Sequence, residues 1–258
     1  MATNTVFENK IIEAKAKDLL TTAVNTRNLM TVDNELAQEA GMTKIVNVYT
    51  YTGTAEELAN GEGNTQRGSI GFEGKEYTVK LIQQAFDYTD EEFMKDNTIV
   101  DNMLKGANQV MVNKLTADFV GELAKATLNV ELGEGALGYN AIVDAIAELN
   151  LEDEGQVFVV IPNTWKADLR KDEDYKTARM GEVISNGQVG TICGIPVIAT
   201  KALTDAAFVM TKEAVKLFMK KDVEVEQDRN PDTRKNSVYL RTAYVAALVD
   251  ATKICKIA

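Results

Sequence analysis

Histidine is absent from this chain of 258 residues, and its absence narrows the chemistry available. Without an imidazole, the chain can form neither a Ser-His nor a Cys-His nucleophile pair, and it has no imidazole ligand for a metal ion. Carboxylates, lysines and tyrosines remain available for catalysis. An enzyme is therefore disfavoured without being excluded, and we predict no catalytic, cofactor-binding or metal-binding residues.

Cysteine and long apolar runs are also scarce. Only Cys193 and Cys255 occur, and two cysteines in a chain of this length predict free thiols rather than a disulfide framework. The apolar stretch from Tyr244 to Val249 is far too short to cross a bilayer, and the first residues show no signal-peptide pattern. We expect a soluble protein that is made in the cytoplasm and has no membrane partner.

Basic residues are in deficit, since 39 acidic and 28 basic residues give a net charge of −11. Such a surface repels nucleic acid at long range, so non-specific DNA binding is not expected to be the main task of the chain. An acidic wall around packaged DNA and an acidic soluble enzyme both fit this charge. The chain is long enough for a substantial core, in one domain or two small ones.

The most informative stretch lies between Val157 and Ala199. The β-branched apolar run from Val157 to Ile161 predicts a strand buried on both faces. Pro162 ends this strand, and Asn163 is expected to cap a helix that begins at Thr164. A glycine-punctuated loop follows, and then two short strands that meet at Gly194.

A long hairpin is predicted in the first third of the chain. Ile45 to Tyr51 reads as an outgoing strand and Tyr77 to Leu81 as the returning one. The segment between them, from Gly53 to Lys75, contains many glycines and very few apolar residues. An isolated two-stranded hairpin is marginally stable in water, so this one must rest on its own domain or on an adjacent copy.

A long helix is expected after the hairpin. Thr89 and Glu92 form a capping-box pattern, and apolar residues then recur every three or four positions as far as Leu123. The pattern extends to Ala126, with Asn97 and Thr98 as the point where the first turns can be interrupted. Weaker patterns predict helices at 8–24, 139–149 and 213–219, and strands at 208–210, 223–225, 238–240 and 244–249.

The strands and helices do not alternate regularly, which indicates an α+β fold. The run Ile161-Pro-Asn163, a helix, a glycine-rich loop and then Gly190-Thr-Ile-Cys-Gly-Ile-Pro-Val-Ile198 resembles the central domain of tailed-bacteriophage major capsid proteins, the Hong Kong ninety-seven coat fold. This resemblance implies an N-terminal arm (1–44), an extended β-hairpin loop (45–88), a peripheral domain with a long spine helix (89–127 and 220–240) and a central axial domain (128–219 and 241–258).

The same resemblance implies a structural virion protein without an active site. It would self-assemble into pentamers and hexamers of an icosahedral phage head around double-stranded DNA, which it would contact weakly and non-specifically. Its expected partners are further copies of itself, a portal protein and a separate scaffold protein, and its location is the virion after synthesis in the bacterial cytoplasm. The alternatives are an encapsulin-like nanocompartment shell, another assembling virion component such as a tail-tube subunit, and a soluble α+β enzyme using carboxylate or lysine chemistry.

Charged and aromatic residues of two segments are the candidates for subunit contacts. A basic loop around Pro231 is either a solvated hairpin tip or a surface whose cations meet carboxylates of a neighbour's extended loop. The cations are Arg229, Arg234, Lys235 and Arg241, and the proposed carboxylates are Glu56, Glu57 and Glu62. The remaining candidates, all in the extended loop, are Tyr49, Tyr51, Arg67 and Tyr77.

Overall fold

The computed structural model describes residues 26–38, 40–96, 98–132, 136–152, 155–178 and 190–258. Strands dominate this part of the chain. They are β1 (Thr31–Asp33), β2 (Thr43–Thr52), β3 (Ser69–Thr78), β4 (Lys80–Thr89), β5 (Leu128–Val130), β6 (Val157–Pro162), β7 (Thr191–Ile192), β8 (Ile195–Thr200), β9 (Ala207–Thr211), β10 (Val215–Asn230), β11 (Lys235–Leu248) and β12 (Ile254–Ile257).

The described α-helices are α1 (Asp90–Lys95), α2 (Ile99–Leu123), α3 (Tyr139–Glu148), α4 (Lys166–Lys171) and α5 (Glu173–Ala178). Short 3₁₀ turns lie at Thr26–Leu29, Glu35–Ala37 and Ala251–Lys253. The mixture of sheets and separate helices confirms the predicted α+β class. None of the described helices is both long enough and apolar enough to span a membrane.

One sheet has four strands in the order β1-β10-β11-β4. The strands β10 and β11 form a long antiparallel hairpin, β4 lies antiparallel to β11, and β1 lies parallel to the inner end of β10. The pairing of β10 shifts register between Met219 and Glu224, so the hairpin twists between an inner and an outer half.

The helix α2 packs along one face of this sheet. Its buried side chains recur at helical spacing from Leu104 to Leu123. The outer half of the helix covers Val225 and Val238 of the sheet. The inner half joins a larger core that also takes in the second sheet.

The second sheet has six strands in the order β5-β12-β9-β6-β8-β7. Every residue of β6 is buried, as predicted for its apolar run, because alternate side chains face two different core clusters. Phe158 faces the core shared with α2 and the first sheet, whereas Val159 faces the helix α3. The molecule is thus layered, and its largest core lies between the two sheets.

The strands β2 and β3 form a separate two-stranded sheet, paired from Thr43–Thr78 out to Thr52–Ser69. The hairpin predicted in this region is confirmed. Its returning strand ends at Thr78, however, and the segment from Lys80 onward is β4 of the four-stranded sheet. Period-two alternation runs across both strands, so the sequence pattern does not show where one ends and the next begins.

The long helix is confirmed with the interruption foreseen around residues 97–98. Thr89 caps α1 in a full capping box with Glu92. The helix then breaks at Asp96, whose side chain accepts hydrogen bonds from the N–H and hydroxyl of Thr98 at 2.9 and 2.7 Å. A side chain that bonds the backbone two residues on offers the chain an alternative to the helical turn, and α2 restarts at Ile99.

Two local predictions were wrong. The segment predicted as a helix at 213–219 is a turn followed, from Val215, by the start of β10. Both faces of the sheet are covered there, so the apolar residues Leu217, Phe218 and Met219 follow one another without the alternation that is typical of a strand. Asn163 does not cap a helix: α4 begins at Lys166, its N-cap position is Trp165, and no side chain caps it. The strands predicted at 223–225, 238–240 and 244–249 lie within β10 or β11, apart from the last residue, Val249.

The helix predicted at 8–24 lies outside the described residues, as do most of the predicted N-terminal arm and Gly187 of the glycine-rich loop. The two strands predicted to meet at Gly194 are β7 and β8. Gly194 takes a φ of +81°, which glycine adopts without strain. The predicted domain borders at 219/220 and 240/241 fall inside the continuous strands β10 and β11.

Candidate subunit interfaces

The β2–β3 hairpin exposes an aromatic face. In the pairing of its strands Tyr49 stands opposite Phe72 and Tyr51 opposite Ile70, so the four side chains project to the same side of the ribbon. Their exposed fractions are 67%, 74%, 68% and 66% respectively. A cluster of large, exposed apolar side chains on one face is typical of a surface that another molecule covers.

Only the base of the hairpin is buried in the subunit. Val46 of β2 and Val79, which links β3 to β4, pack with Phe218 and Val245 of the four-stranded sheet. Further out the β3 residues from Ser69 to Glu76 are all exposed. The hairpin is therefore a projection anchored at one end.

The tip of the hairpin is ordered by its own hydrogen bonds. The carboxylate of Glu56 accepts hydrogen bonds from the hydroxyl and the N–H of Thr65, the latter at 2.8 Å, and from the N–H of Gln66. These hydrogen bonds, with the Thr65 hydroxyl first, lower the pKa of Glu56. Glu56 thus organises its own loop, whereas Glu57, Glu62 and Arg67 are exposed.

Tyr77 lies at the base of the hairpin, away from the aromatic face. Its hydroxyl donates to the carbonyl oxygen of Leu248 at 3.0 Å, and the Lys125 ammonium lies 5.5 Å from the centre of its ring. Burial, followed by the negative charge of Glu122, raises the pKa of this tyrosine. The structure therefore places Tyr77 in a contact within the subunit, and an interface role for it stays a prediction.

The cations of the predicted basic loop each meet a carboxylate of the same chain. Arg229 pairs with Asp90 at 2.8 Å, Arg234 with Glu91 at 2.6 Å, Lys235 with Asp87 at 2.7 Å and Arg241 with Glu226. Three of these pairs join the β10–β11 turn to α1 and the end of β4. Exposed pairs contribute only about 0–1 kcal/mol each, so a neighbouring chain could still compete for these cations.

The β10–β11 turn, α1 and the end of β4 form the outer end of the four-stranded sheet. Hydrogen bonds stabilise the carboxylates there in their charged form. The amide of Asn236, and secondly Arg229, lower the pKa of Asp90. A hydrogen bond from Lys235 lowers the pKa of Asp87 and raises that of Lys235. The predicted meeting of these cations with Glu56, Glu57 or Glu62 of a neighbour stays untested, because the structure contains a single chain.

The sequence analysis missed several exposed apolar residues, among them Leu81 of β4 at 62%. Ile45, Ile70 and Phe72 lie in the hairpin, with exposed fractions of 60%, 66% and 74%, and Met94 of α1 is 83% exposed. The spacing of Ile70 and Phe72 by two positions was the available signal, since it places both on the face that carries Tyr49 and Tyr51.

The acidic and cysteine side chains of the described residues include no group of three or more that could hold a metal ion. Cys193 is exposed in the β7–β8 turn, where its sulfur lies 3.2 Å from the Tyr139 hydroxyl. Cys255 is buried, and burial raises the pKa of its thiol to about 11, which keeps it protonated and unreactive.

Comparison with known proteins gives a family and a fold. The family model described as phage capsid protein matches residues 73–257. The major capsid protein of Staphylococcus phage phiMR11 is 27% identical over 237 residues, which cover 88% of this chain and 84% of that protein.

Two solved structures share the architecture at low sequence identity. The virus-like particle from Pyrococcus furiosus has a TM-score of 0.69 at 11% identity and covers 97% of this chain and 99% of its own. The capsid of Cyanophage P-SCSP1u has a TM-score of 0.69 at 10% identity, covering 89% of this chain and 86% of its own. These likenesses confirm the predicted coat fold, and with the match over residues 73–257 they show that the chain belongs to the phage capsid protein family.

Proposed function

We propose that this chain is the major capsid subunit of a tailed bacteriophage. It assembles into pentamers and hexamers that close an icosahedral head around double-stranded DNA, and it performs no catalysis. The observation that supports this best is the exposed aromatic face of a hairpin that is buried only at its base, because a lone subunit leaves that face in water. The family match and the major capsid protein of phage phiMR11 support the same function.

The assembly we propose is heterologous. The aromatic face of one copy meets a different surface on the next copy, and repetition of that contact by rotation closes rings. The charged outer end formed by α1 and the β10–β11 turn contributes a second contact, through Arg229, Arg234 or Lys235. Arg241, further along β11, is an additional candidate for a contact between copies. Each such pair is weak, but a closed shell repeats it in every subunit.

In the division of labour that we propose, the hairpin reaches a neighbour, the outer half of the four-stranded sheet with α2 forms the periphery, and the six-stranded sheet packs around the capsomer axis. Of the predicted arm at 1–44, the described residues Leu29, Met30 and Leu36 pack into the cores of the subunit itself, and β1 pairs with β10. We further propose a portal and a separate scaffold protein as partners, and synthesis in the bacterial cytoplasm. Contact with the packaged DNA is weak, because the net charge of −11 repels the DNA phosphates.

Size-exclusion chromatography followed by negative-stain electron microscopy tests the proposal most directly. The purified chain should elute as capsomers or larger assemblies and form closed shells, alone or when it is co-expressed with the scaffold protein of its own phage. A stable monomer that forms neither capsomers nor shells with that scaffold would contradict the assignment.

A second candidate is a nanocompartment shell that encloses proteins. The observation that favours it is the match to the virus-like particle from Pyrococcus furiosus over 97% of this chain. The contents of particles isolated from the native source decide between the two. A phage head yields nuclease-protected double-stranded DNA of one length, whereas a nanocompartment yields a defined protein cargo and no such DNA.

A further inference from the structure

Two glycines extend the aromatic face of the hairpin towards its tip. Gly53 and Gly68 follow directly after the last pair of the ribbon, Thr52–Ser69, and therefore stand opposite each other. Because successive residues of a strand alternate between its two sides, both glycines belong to the side that carries Tyr51. A diagonal neighbour across two strands is within reach of an aromatic side chain, and Gly68 is such a neighbour of Tyr51.

The Tyr51 ring packs against this glycine pair. A Cβ added at Gly68 would have three Tyr51 atoms as its nearest neighbours: the hydroxyl oxygen, Cζ at 2.6 Å and Cε2 at 2.8 Å. A Cβ added at Gly53 would lie 2.6 Å from the Tyr51 hydroxyl oxygen and 2.9 Å from the Gly68 Cα. Atoms do not pack this closely around a real Cβ, so the ring keeps its position only while both residues are glycine. We call these two glycines the Tyr51 seat.

The backbone itself does not require glycine at either position. Among the described residues, a positive φ occurs at four other glycines: Gly41, Gly61, Gly190 and Gly194. Gly53 and Gly68 therefore do not take the left-handed conformation that favours glycine over other residues. What they provide is space for the Tyr51 ring.

Hydrogen bonds hold the two strands together on both sides of the seat. The hydroxyl groups of Thr52 and Ser69 lie 2.8 Å apart, and the Thr54 hydroxyl donates to Oε1 of Gln66 at 3.0 Å. The Tyr51 side chain is nevertheless 68% exposed. The seat thus holds one side of the ring and leaves the other side open to a partner.

We propose that Gly53 and Gly68 are positioning residues for the contact between subunits, because they hold the Tyr51 ring in place before a neighbour binds. The inference rests on the proposed function, since it concerns the contact made by the aromatic face. A side chain that is already ordered loses less conformational freedom when an interface forms, and association is favoured. The mutual packing of Tyr49 and Phe72 orders the rest of the same face.

Nuclear magnetic resonance tests the seat within one subunit. The full chain, with isotope labels in tyrosine and glycine, is measured in solution where it is unassembled and in the solid state where it forms shells. Contacts between the Tyr51 ring and the α position of Gly68 should be observed, and the Gly68 signals should move when Tyr51→Ser removes the ring. Absence of these contacts would overturn the inference.

Gly68→Ala tests the role of the seat in assembly. It is sharper than Gly53→Ala, because the three atoms nearest to its new Cβ all belong to Tyr51. We expect a several-fold lower yield of closed shells at equal protein concentration, with the free energy of unfolding unchanged because Tyr51 is exposed. The matched control is Gly63→Ala in the same loop, where a Cβ would meet no atom within 4 Å, and it should assemble like the parent. Parental yields in Gly68→Ala would overturn the inference.

A double variant shows whether Gly68 acts through Tyr51. At a protein concentration at which the Tyr51→Ser chain still assembles, adding Gly68→Ala should not lower the yield of shells further, because the added Cβ then has no ring to displace. A further several-fold loss would assign Gly68 another role and overturn the inference.

The two proposals fail in different ways. A parent chain that forms no shells would refute the proposed function, while the contacts between Tyr51 and Gly68 would still be observed in the subunit. Parent shells together with normal assembly of Gly68→Ala would refute only the role of the seat.

Discussion

Tyr49 and Phe72 face each other across the β2–β3 hairpin, with ring centroids 6.4 Å apart and both rings largely exposed. Tilted aromatic pairs of this kind bury part of each ring against the other but leave the outer surfaces in water. In a subunit whose cores lie elsewhere, this pair contributes little to folding. Under the proposed function, another copy covers this pair in the assembled shell.

Removal of the aromatic face should therefore impair assembly and leave the folding of the subunit unchanged. We expect Tyr49→Ser with Phe72→Ser to change the free energy of unfolding by no more than about 1 kcal/mol, because both side chains are exposed. The same variant should lose most of its closed shells in electron micrographs. Glu73→Ser, an exposed position on the opposite face of β3, is the control and should assemble normally. Unimpaired shells in the double variant would contradict the proposed contact.

Charge reversal at Arg234 tests the second proposed contact. The single variant Arg234→Glu should impair assembly, but it also breaks the pair with Glu91 of the same chain. The exchange Glu91→Arg with Arg234→Glu restores that internal pair. If Arg234 acts across subunits, the exchanged chain stays defective in shell formation while its unfolding free energy matches the parent within about 1 kcal/mol. Full recovery of shells would assign Arg234 to the internal pair alone.

The order of the hairpin tip should depend on pH through Glu56. Its folded-state pKa lies below the ordinary value of 4.5, mainly because the Thr65 hydroxyl donates to the carboxylate. Stabilisation from a lowered pKa is complete above the ordinary value and is lost as the pH falls through the folded one. The protection factor of the Thr65 amide against hydrogen exchange should therefore decrease in acid, and Glu56→Gln should abolish this dependence. A pH-independent protection factor in the parent would contradict it.

The buried side-chain amide of Asn108 should lower the free energy of unfolding. Asn108 lies on the sheet-facing side of α2, is 3% exposed, and neither its amide nitrogen nor its oxygen has a hydrogen-bond partner. A buried polar group without partners costs about 1–3 kcal/mol. Asn108→Leu should therefore raise the free energy of unfolding by about that amount in urea titrations.

The control for that substitution lies one and a half turns further along the same helix. Asn113 is exposed, so Asn113→Leu should change the free energy of unfolding by no more than about 0.5 kcal/mol. A loss of stability in Asn108→Leu would show that the amide makes bonds, through water or in another arrangement, that the leucine cannot replace.

Local patterns predicted the elements whose side chains obey one clear period. The capping box of Thr89 and Glu92 located the start of α1, and the apolar spacing located α2 through Leu123. The continuous apolar run of β6 was predicted correctly as a strand buried on both faces. The start of β10 was predicted as a helix, because burial on both faces puts Leu217, Phe218 and Met219 in succession and so removes the alternation that distinguishes a strand.

Among the interface candidates, the sequence could identify residue types but not their surroundings. Tyr49 and Tyr77 are both tyrosines of the hairpin, yet one is exposed and the other is held by Leu248 and Lys125. The basic character of the β10–β11 turn was evident, but its carboxylate partners lie more than a hundred positions earlier in the chain, in β4 and α1. Pairings at that separation depend on the register of β4 against β11, which no local pattern encodes.

By itself the sequence determined the mixed class of the fold, the glycine-rich hairpin and long helix, and the lack of histidine chemistry, because composition and side-chain period act locally. Tertiary structure alone decided which face of the hairpin is aromatic and exposed, which carboxylates the cations meet, and where the hairpin is held. Those features arise from strand register and from the packing of two sheets around one core. Both bring together residues that are far apart along the chain, so local sequence patterns do not show that they are neighbours.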